Sequence, residues 1–436
     1  MAAEKGGLRR ILGVGFGLAV IVGSTLGIGI LRTPGLVAAQ LASRSGILAV
    51  WLLGGLYTLL GSVCLTELGT MLPRAGGYYV YARRAFGDTA GFAVGWSDWI
   101  TYCAVLGYVT IAMGEFSAVL APSLGPAIKP IAVAVLGLFA LLQWAGVRIS
   151  SRFQEATTAV KFLAFLALVA ACFAHAAASP SPEGGPAVLR PDGPGFVGLV
   201  VALQSVAITY GGWQSALYFT EEDRDPRRNL PRSMIGGVLS VLVIYLLVNL
   251  ALLSVLPVGA LSRSTLPAAD AAKAIFGGRG GQMITLLSLV SLPPLVNAIM
   301  MIGTRILFAM GRDGLLWRGA AAVNDRGTPV RATLVTTAVA AVLIGTGTFQ
   351  KLVAVAAFFL AVNYCVCCLA LIVLRRREPR LERPFRAWGY PWSAGIVLIG
   401  AAAFLTGVLL GDTRTALVAM GLLAAGLLGR LWSSRR

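Results

Sequence analysis

Histidine is almost missing from this 436-residue chain. His175 is the single one, which argues against a metal site of the metalloprotease type, built on several imidazoles. Charge is scarce as well: Asp, Glu, Lys and Arg together make up 12%, roughly half of what a soluble globular chain carries. Hydrophobic residues reach 57% and the mean hydropathy is +0.81. A soluble fold of that composition would expose more apolar surface than solubility tolerates, so the excess faces lipid. Acids are the scarcer charge, 18 against 36 basic residues. The resulting +18 would suggest nucleic acid as the partner of a soluble protein. In a membrane chain it marks the loops on one side, and no nucleic acid is expected. The six cysteines, Cys64, Cys103, Cys172, Cys365, Cys367 and Cys368, lie mostly in apolar runs and read as small buried residues rather than a disulfide framework. With no Walker run, no His-x-x-x-His pair and no Gly-x-Ser-x-Gly elbow, a membrane-embedded enzyme is disfavoured. Nothing calls for a metal or a cofactor.

What is present is a series of apolar segments, near 11–38, 46–72, 87–121, 127–146, 154–178, 195–220, 233–256, 281–310, 330–346, 349–374, 393–411 and 415–432. They predict an all-α polytopic membrane protein with about 12 transmembrane helices. The first segment follows a short basic stretch, but it is too long and too glycine-broken for a signal peptide and is expected to stay as a helix. Placing the N-terminus inside puts 25 of the 36 basic residues in cytoplasmic segments and 8 in outer ones. That bias predicts a multi-pass protein of the cell (cytoplasmic/inner) membrane with both termini on the cytoplasmic side. The longest outer loop, near 179–194, is rich in Pro and Gly. The aromatic and basic stretch Gly76–Phe86 at a cytoplasmic edge suits an interfacial helix.

Two spans carry sequence that an ordinary membrane helix does not need. Span 1 holds Gly23-Ser24-Thr25-Leu26-Gly27-Ile28-Gly29-Ile30, and span 6 holds Tyr210-Gly211-Gly212-Trp213-Gln214-Ser215. Glycine favours departures from the helix, and non-helical backbone at membrane depth survives only where it lines a protein cavity. Freed N–H groups where a half-helix starts attract a carboxylate; freed carbonyls where one ends attract a cation or an ammonium group. A zwitterion with both groups on one carbon fits between two such breaks. Close packing of small residues is the plainer alternative, but spans 1 and 6 are five apart, as an inverted five-plus-five repeat demands.

Ionisable residues inside spans are expensive and usually functional. Lys161 lies several residues into span 5, where a fixed ammonium could replace a sodium ion and tie the span-1 break to the bundle, or could snorkel to the interface. Glu115 in span 3 is a candidate to carry a proton or contact a substrate. Glu67, near the cytoplasmic end of span 2, reads as a cap of the neighbouring loop, and Asp98 as a buried hydrogen-bonding group. Arg305 and Asn297 in span 8 face the interior, the latter a candidate cavity residue.

At these residues the chain resembles the amino acid–polyamine–organocation superfamily, most closely its L-type amino acid transporter branch with bacterial relatives. Span 1 is similar to the pattern Gly-Ser/Thr-x-x-Gly-x-Gly-Ile-x-x-x-Pro, here Gly23, Ser24, Gly27, Gly29, Ile30 and Pro34. Residues Thr66–Tyr81 resemble Ala-Glu-Leu-Gly…Pro…Gly-Gly-x-Tyr-x-Tyr. Tyr210-Gly211-Gly212-Trp213, Glu221-Glu222, Pro226 and Asn229-Leu230-Pro231 follow the pattern of span 6 and its loop, and Ala309–Gly314 that of the end of span 8. The resemblance implies a LeuT-type repeat with broken helices 1 and 6: residues 1–178 form the first repeat, 179–374 the second, and 375–436 add helices 11 and 12. It implies a secondary active transporter that moves neutral L-amino acids by alternating access, without sodium, by exchange or proton coupling. The substrate carboxylate would meet the backbone near Ile28, Gly29 and Ile30, and the ammonium the region of Ser24, Thr25 and Ile208. Gly27, Gly211, Gly212, Trp213 and Gln214 complete the expected site, and Lys161 matches the lysine that takes the place of a sodium ion. Ile208 stands where the family often has an aromatic gate, Ile28 where it has a small residue and Gln214 where the branch has Asn. The expected partners are an amino acid substrate and the lipid bilayer; which amino acid and which oligomeric state stay open. The rivals are a polyamine or organic-cation carrier, for which Glu115 and Asp98 are the candidate carboxylates, and a non-transporting nutrient sensor.

Overall fold

The computed structural model describes residues 7–41, 43–178, 195–347, 349–411 and 413–433, so the Pro- and Gly-rich loop 179–194, expected on the outer side, lies outside the described residues. The regular elements among the described residues are helices: α1 (Val14–Thr25), α2 (Gly29–Gln40), α3 (Arg44–Met71), α4 (Tyr78–Phe86), α5 (Asp88–Leu120), α6 (Ile128–Trp144), α7 (Val147–Ala178), α8 (Phe196–Thr209), α9 (Pro226–Val255), α10 (Val258–Arg263), α11 (Pro267–Phe276), α12 (Gly280–Ser291), α13 (Pro293–Arg312), α14 (Val330–Thr346), α15 (Phe349–Arg377), α16 (Trp392–Gly411) and α17 (Thr413–Ser433). Among the described residues nine helical stretches are long and apolar enough to cross a bilayer, and α1 with α2 makes a further span bent by 48° at its break. Shorter apolar helices at Val330–Thr346 and Ala416–Leu428 fall on the ninth and twelfth apolar segments of the sequence. The chain is therefore an all-helical polytopic membrane protein.

Helix satisfies the backbone polar groups within each apolar segment, which membrane depth demands. Where the sequence interrupts that pattern, the helix stops. Leu26 leaves the helical region at ψ 103° and closes α1. Beyond α8 the chain turns over Tyr210–Gly212 and continues as a short 3-10 helix, Trp213–Phe219. Span 8 is likewise divided, α12 ending just before Pro293 and Pro294 open α13.

The helix α4 is not the lipid-facing element that its aromatic and basic composition suggests. Tyr78, Tyr79 and Tyr81 are fully buried and α4 packs against α5 and α15. Its basic residues instead pair with acids: Arg83 with Asp88 and Asp313, Arg84 with Glu378. Glu67 on α3 is fully buried and meets two arginines, Arg375 and Arg383, while also accepting from the Ala387 amide at 2.7 Å. It thus caps the loop that follows α15. Arg305 on α13 forms a bidentate pair with Glu222 at 2.9 and 3.0 Å, both wholly buried, and lies over the Phe219 ring.

Candidate functional site at the junction of two broken spans

The ends of α1 and α8 meet. The four last carbonyls of a helix have no partner within it, and at the end of α1 each is met in a different way. Val22 O accepts from the Leu26 amide at 2.9 Å. Gly23 O accepts from the Lys161 ammonium at 2.8 Å, the lysine being fully buried on α7. Thr25 O accepts from the Tyr245 hydroxyl at 2.7 Å. Ser24 O lies against Gly212, where a Cβ would stand 2.6 Å from it. Gly212 has φ +114°, so both its conformation and its closeness to Ser24 require glycine.

The same Tyr245 hydroxyl reaches Thr209 O, the last carbonyl of α8, at 2.9 Å. One phenol on α9 therefore bridges both breaks. Ser24 Oγ contacts Gly212 O at 2.9 Å and Ser215 Oγ at 2.8 Å, and Thr33 and Thr209 hydroxyls meet at 2.8 Å. On the other side of the span-1 break, α2 begins at Gly29 without a side-chain cap. Gly29 approaches Thr209 so closely that a Cβ would sit 3.0 Å from its methyl carbon. Thr25 Oγ1 is buried here without a hydrogen-bond partner. The junction thus offers uncapped amides, carbonyl oxygens and an unpartnered hydroxyl within a few residues, a set suited to a small zwitterion.

Of the residues singled out from sequence, Ser24, Thr25, Gly29, Gly212 and Lys161 come together at this junction. Gly27 and Ile28 form the linker, Ile28 O accepting from Leu31 at 3.0 Å, and Ile30 is fully buried. Gly211 N closes the turn on Ile208 O at 3.0 Å. Gln214 is buried beyond it: its Oε1 accepts from the Gly212 amide and the Tyr364 hydroxyl, both at 3.2 Å. Ile208 points elsewhere. It is 52% exposed and lines a cleft with Tyr57, Trp213, Tyr364, Val397 and Gly400, between spans 2, 6, 10 and 11. Glu115 is exposed near the far end of α5. Asn297 is buried but sits one layer away, accepting from Gln143 at 2.8 Å and donating to Gln154 at 2.8 Å. Gln154 and Thr158 in turn donate to Ala19 O, so Asn297 steadies α1 through α7. Tyr245, Thr209, Thr33 and Ser215 complete the junction without a motif of their own. A phenol in the middle of an apolar span was the available signal for Tyr245, since its hydroxyl needs a partner when buried. Among the described residues no cluster of His, Cys, Asp or Glu could hold a metal.

This geometry sits within a recognised sequence pattern: residues 17–424 match the amino acid permease family. The chain belongs to that family. This permease is 30% identical over 400 residues to the Asc-type amino acid transporter 1 of Mus musculus, covering 88% of the chain and 74% of the relative. It is 26% identical over 422 residues to the serine/threonine exchanger SteT of Bacillus subtilis (strain 168), covering 95% and 94%. To the large neutral amino acids transporter small subunit 2 of Mus musculus it is 29% identical over 446 residues, covering 93% and 82%. The family and these relatives are transporters, and the permease is not an enzyme.

Proposed function

We propose that this permease carries neutral L-amino acids across the cytoplasmic membrane by alternating access, without sodium, with both termini on the cytoplasmic side. The observation that carries the reading is the junction itself. Uncapped amides at Gly29 and Ile30 suit the substrate carboxylate, and the carbonyl ends of α1 and α8 suit its ammonium. The Lys161 ammonium takes the carbonyl of Gly23, so a cation is already supplied where transporters with broken helices bind sodium through unwound carbonyls. A substrate with a neutral side chain agrees with the surroundings: Glu115 is exposed near the C-terminal end of α5, and Asp98 is engaged by Tyr218 at 2.8 Å. This weighs against a polyamine, which would need carboxylates along the pocket. The relatives named for exchange and for neutral substrates point the same way. We also assign residues 1–178 and 179–374 to two inverted repeats, on the support that each carries its break in its first span.

The test is uptake of a panel of labelled amino acids by the purified permease in proteoliposomes, with and without sodium. Sodium-independent uptake or counterflow of one or more neutral amino acids is expected. Strict sodium dependence would overturn the role of Lys161, and the absence of any uptake would favour a non-transporting sensor.

A further inference from the structure

Three acids are fully buried among the described residues: Glu67, Asp98 and Glu222. Two of them are matched by arginines, Glu67 by Arg375 and Arg383 and Glu222 by Arg305. Asp98 has no such match. Its Oδ2 accepts from the Tyr218 hydroxyl at 2.8 Å, and its Oδ1 has no hydrogen-bond partner. The groups facing it are Tyr102 on its own helix, Tyr78 on α4, Tyr218 on the 3-10 segment, and Asn363, Tyr364 and Cys367 on α15. All are neutral at ordinary pH. The Asn363 amide nitrogen is itself buried and unpartnered, its oxygen accepting from Ser97 at 3.1 Å. Asp98 therefore lacks the arginine that each of the other two fully buried acids among the described residues receives, and an ionisable side chain left in this way inside a span is a candidate to exchange a proton.

Position gives this group a use. Asp98 is on α5 and Asn363 on α15, which pack closely together, whereas Tyr218 lies on the segment that follows the span-6 break. From Tyr218 the polar contacts run towards the junction. Tyr102 packs edge-on against Tyr218 with ring centroids 5.5 Å apart, and its hydroxyl accepts from Gln214 Nε2 at 3.5 Å. Gln214 Oε1 accepts from the Gly212 amide. Alternating access moves one bundle against the other around the site, and any displacement of the 3-10 segment from α5 takes the Tyr218 hydroxyl away from the carboxyl and lets water in.

We propose that Asp98 is the group at which this permease takes up and releases a proton in each cycle, so that amino acid entry is coupled to proton entry. The inference rests on the transport reading above. In the closed arrangement the proton is held on Asp98 as a neutral carboxylic acid. When the 3-10 segment moves away and water reaches the group, the O–H bond breaks, the proton passes to water on that side, and the carboxylate remains until it is protonated again from the other side.

The experiment compares the wild type with Asp98→Asn in proteoliposomes, using the transported amino acid found in the panel. An inside-alkaline gradient of one pH unit supports up to about a tenfold accumulation for one coupled proton. The wild type is expected to respond by accumulating substrate. Asp98→Asn is expected to keep counterflow, which needs no net proton movement, and to lose the response to the gradient. A variant that responds as the wild type does would overturn the inference, and so would a wild type that shows counterflow but no response. Absence of counterflow in the wild type would instead overturn the transport reading on which the inference rests. Tyr218→Phe provides a second readout should Asp98→Asn fail to fold. Loss of the hydroxyl is expected to displace the pH midpoint of net uptake, and an unmoved midpoint with wild-type accumulation would count against Asp98.

Discussion

The ammonium of Lys161 donates to the carbonyl oxygen of Gly23 at 2.8 Å, joining α7 to the last turn of the helix that ends at the span-1 break. Replacing it by Ala leaves that buried carbonyl without a donor, a loss of about 1–3 kcal/mol, and frees the end of α1 from α7. Lys161→Ala is expected to abolish uptake in proteoliposomes while the protein still elutes as a single folded species in detergent. Full uptake by this variant would remove the lysine from the mechanism.

At Gly29 the constraint is space. A side chain there would press on Thr209, whose methyl carbon lies 3.0 Å from the position of a Cβ, and would cover the uncapped start of α2. Gly29→Val is expected to weaken amino acid binding at least about tenfold, a change of roughly 1.4 kcal/mol, in an equilibrium binding assay on purified protein. An unchanged Kd would count against carboxylate capture at this break.

Arg305 and Glu222 stabilise the fold only as a pair. Arg305→Met alone leaves the buried Glu222 carboxyl without its partner, and removing one partner of a buried pair typically costs about 3–5 kcal/mol. The double variant Arg305→Met with Glu222→Leu removes both charges and is expected to recover most of the lost stability. Thermal unfolding in detergent reads this directly, and a double variant as unstable as Arg305→Met would show that the pair acts through something other than charge.

Asp313, beyond the end of α13, gives a pH prediction. Burial pushes its carboxyl up, but the Tyr79 hydroxyl and the Arg74 and Arg312 guanidinium groups outweigh that and hold it below the ordinary 3.8. A carboxyl lowered on folding contributes stability that is fully present above the unfolded value and is lost as pH falls through the folded one. The stability difference between the wild type and Asp313→Asn is therefore expected to be constant near neutral pH and to shrink only below about pH 4. A difference that already disappears near pH 6 would contradict the role of these partners.

The two breaks were legible because glycine is conspicuous in an apolar helix, and Lys161 because an ammonium is conspicuous in a membrane. Both are departures from the background. Partnerships were far less legible. Glu222 and Arg305 are 83 residues apart, and nothing local to either announces the other. Tyr245 carries no motif, since a tyrosine in a span reads equally as an anchor at an interface. For Ile208 the difficulty is rotation: the last turn of α8 places neighbouring side chains on different faces, and the chain beyond Thr209 is no longer α-helical, so a helical register cannot say which of them meets the junction. Composition told that α4 is aromatic and basic, but not that its basic residues find Asp88, Asp313 and Glu378 while its rings turn inward.

The half-spans α1 and Trp213–Phe219 are fastened to each other along their whole length. At one end Ser24 meets Gly212 and Ser215. Near their far ends the rings of Phe16 and Phe219 pack edge to face at 5.1 Å. At the other end the amides of Ile11 and Leu12 both donate to Glu222 O, and the Arg224 amide donates to Leu12 O, each at 3.0 Å. Two strips of chain pinned at three points resist sliding past one another and are coupled in any displacement, as the two blades of a closed pair of scissors are. The pivots available are the linkers Leu26–Ile28 and Tyr210–Gly212, which lie side by side. A single lever thus serves both breaks, and whatever loosens the site on span 1 loosens it on span 6 in the same stroke.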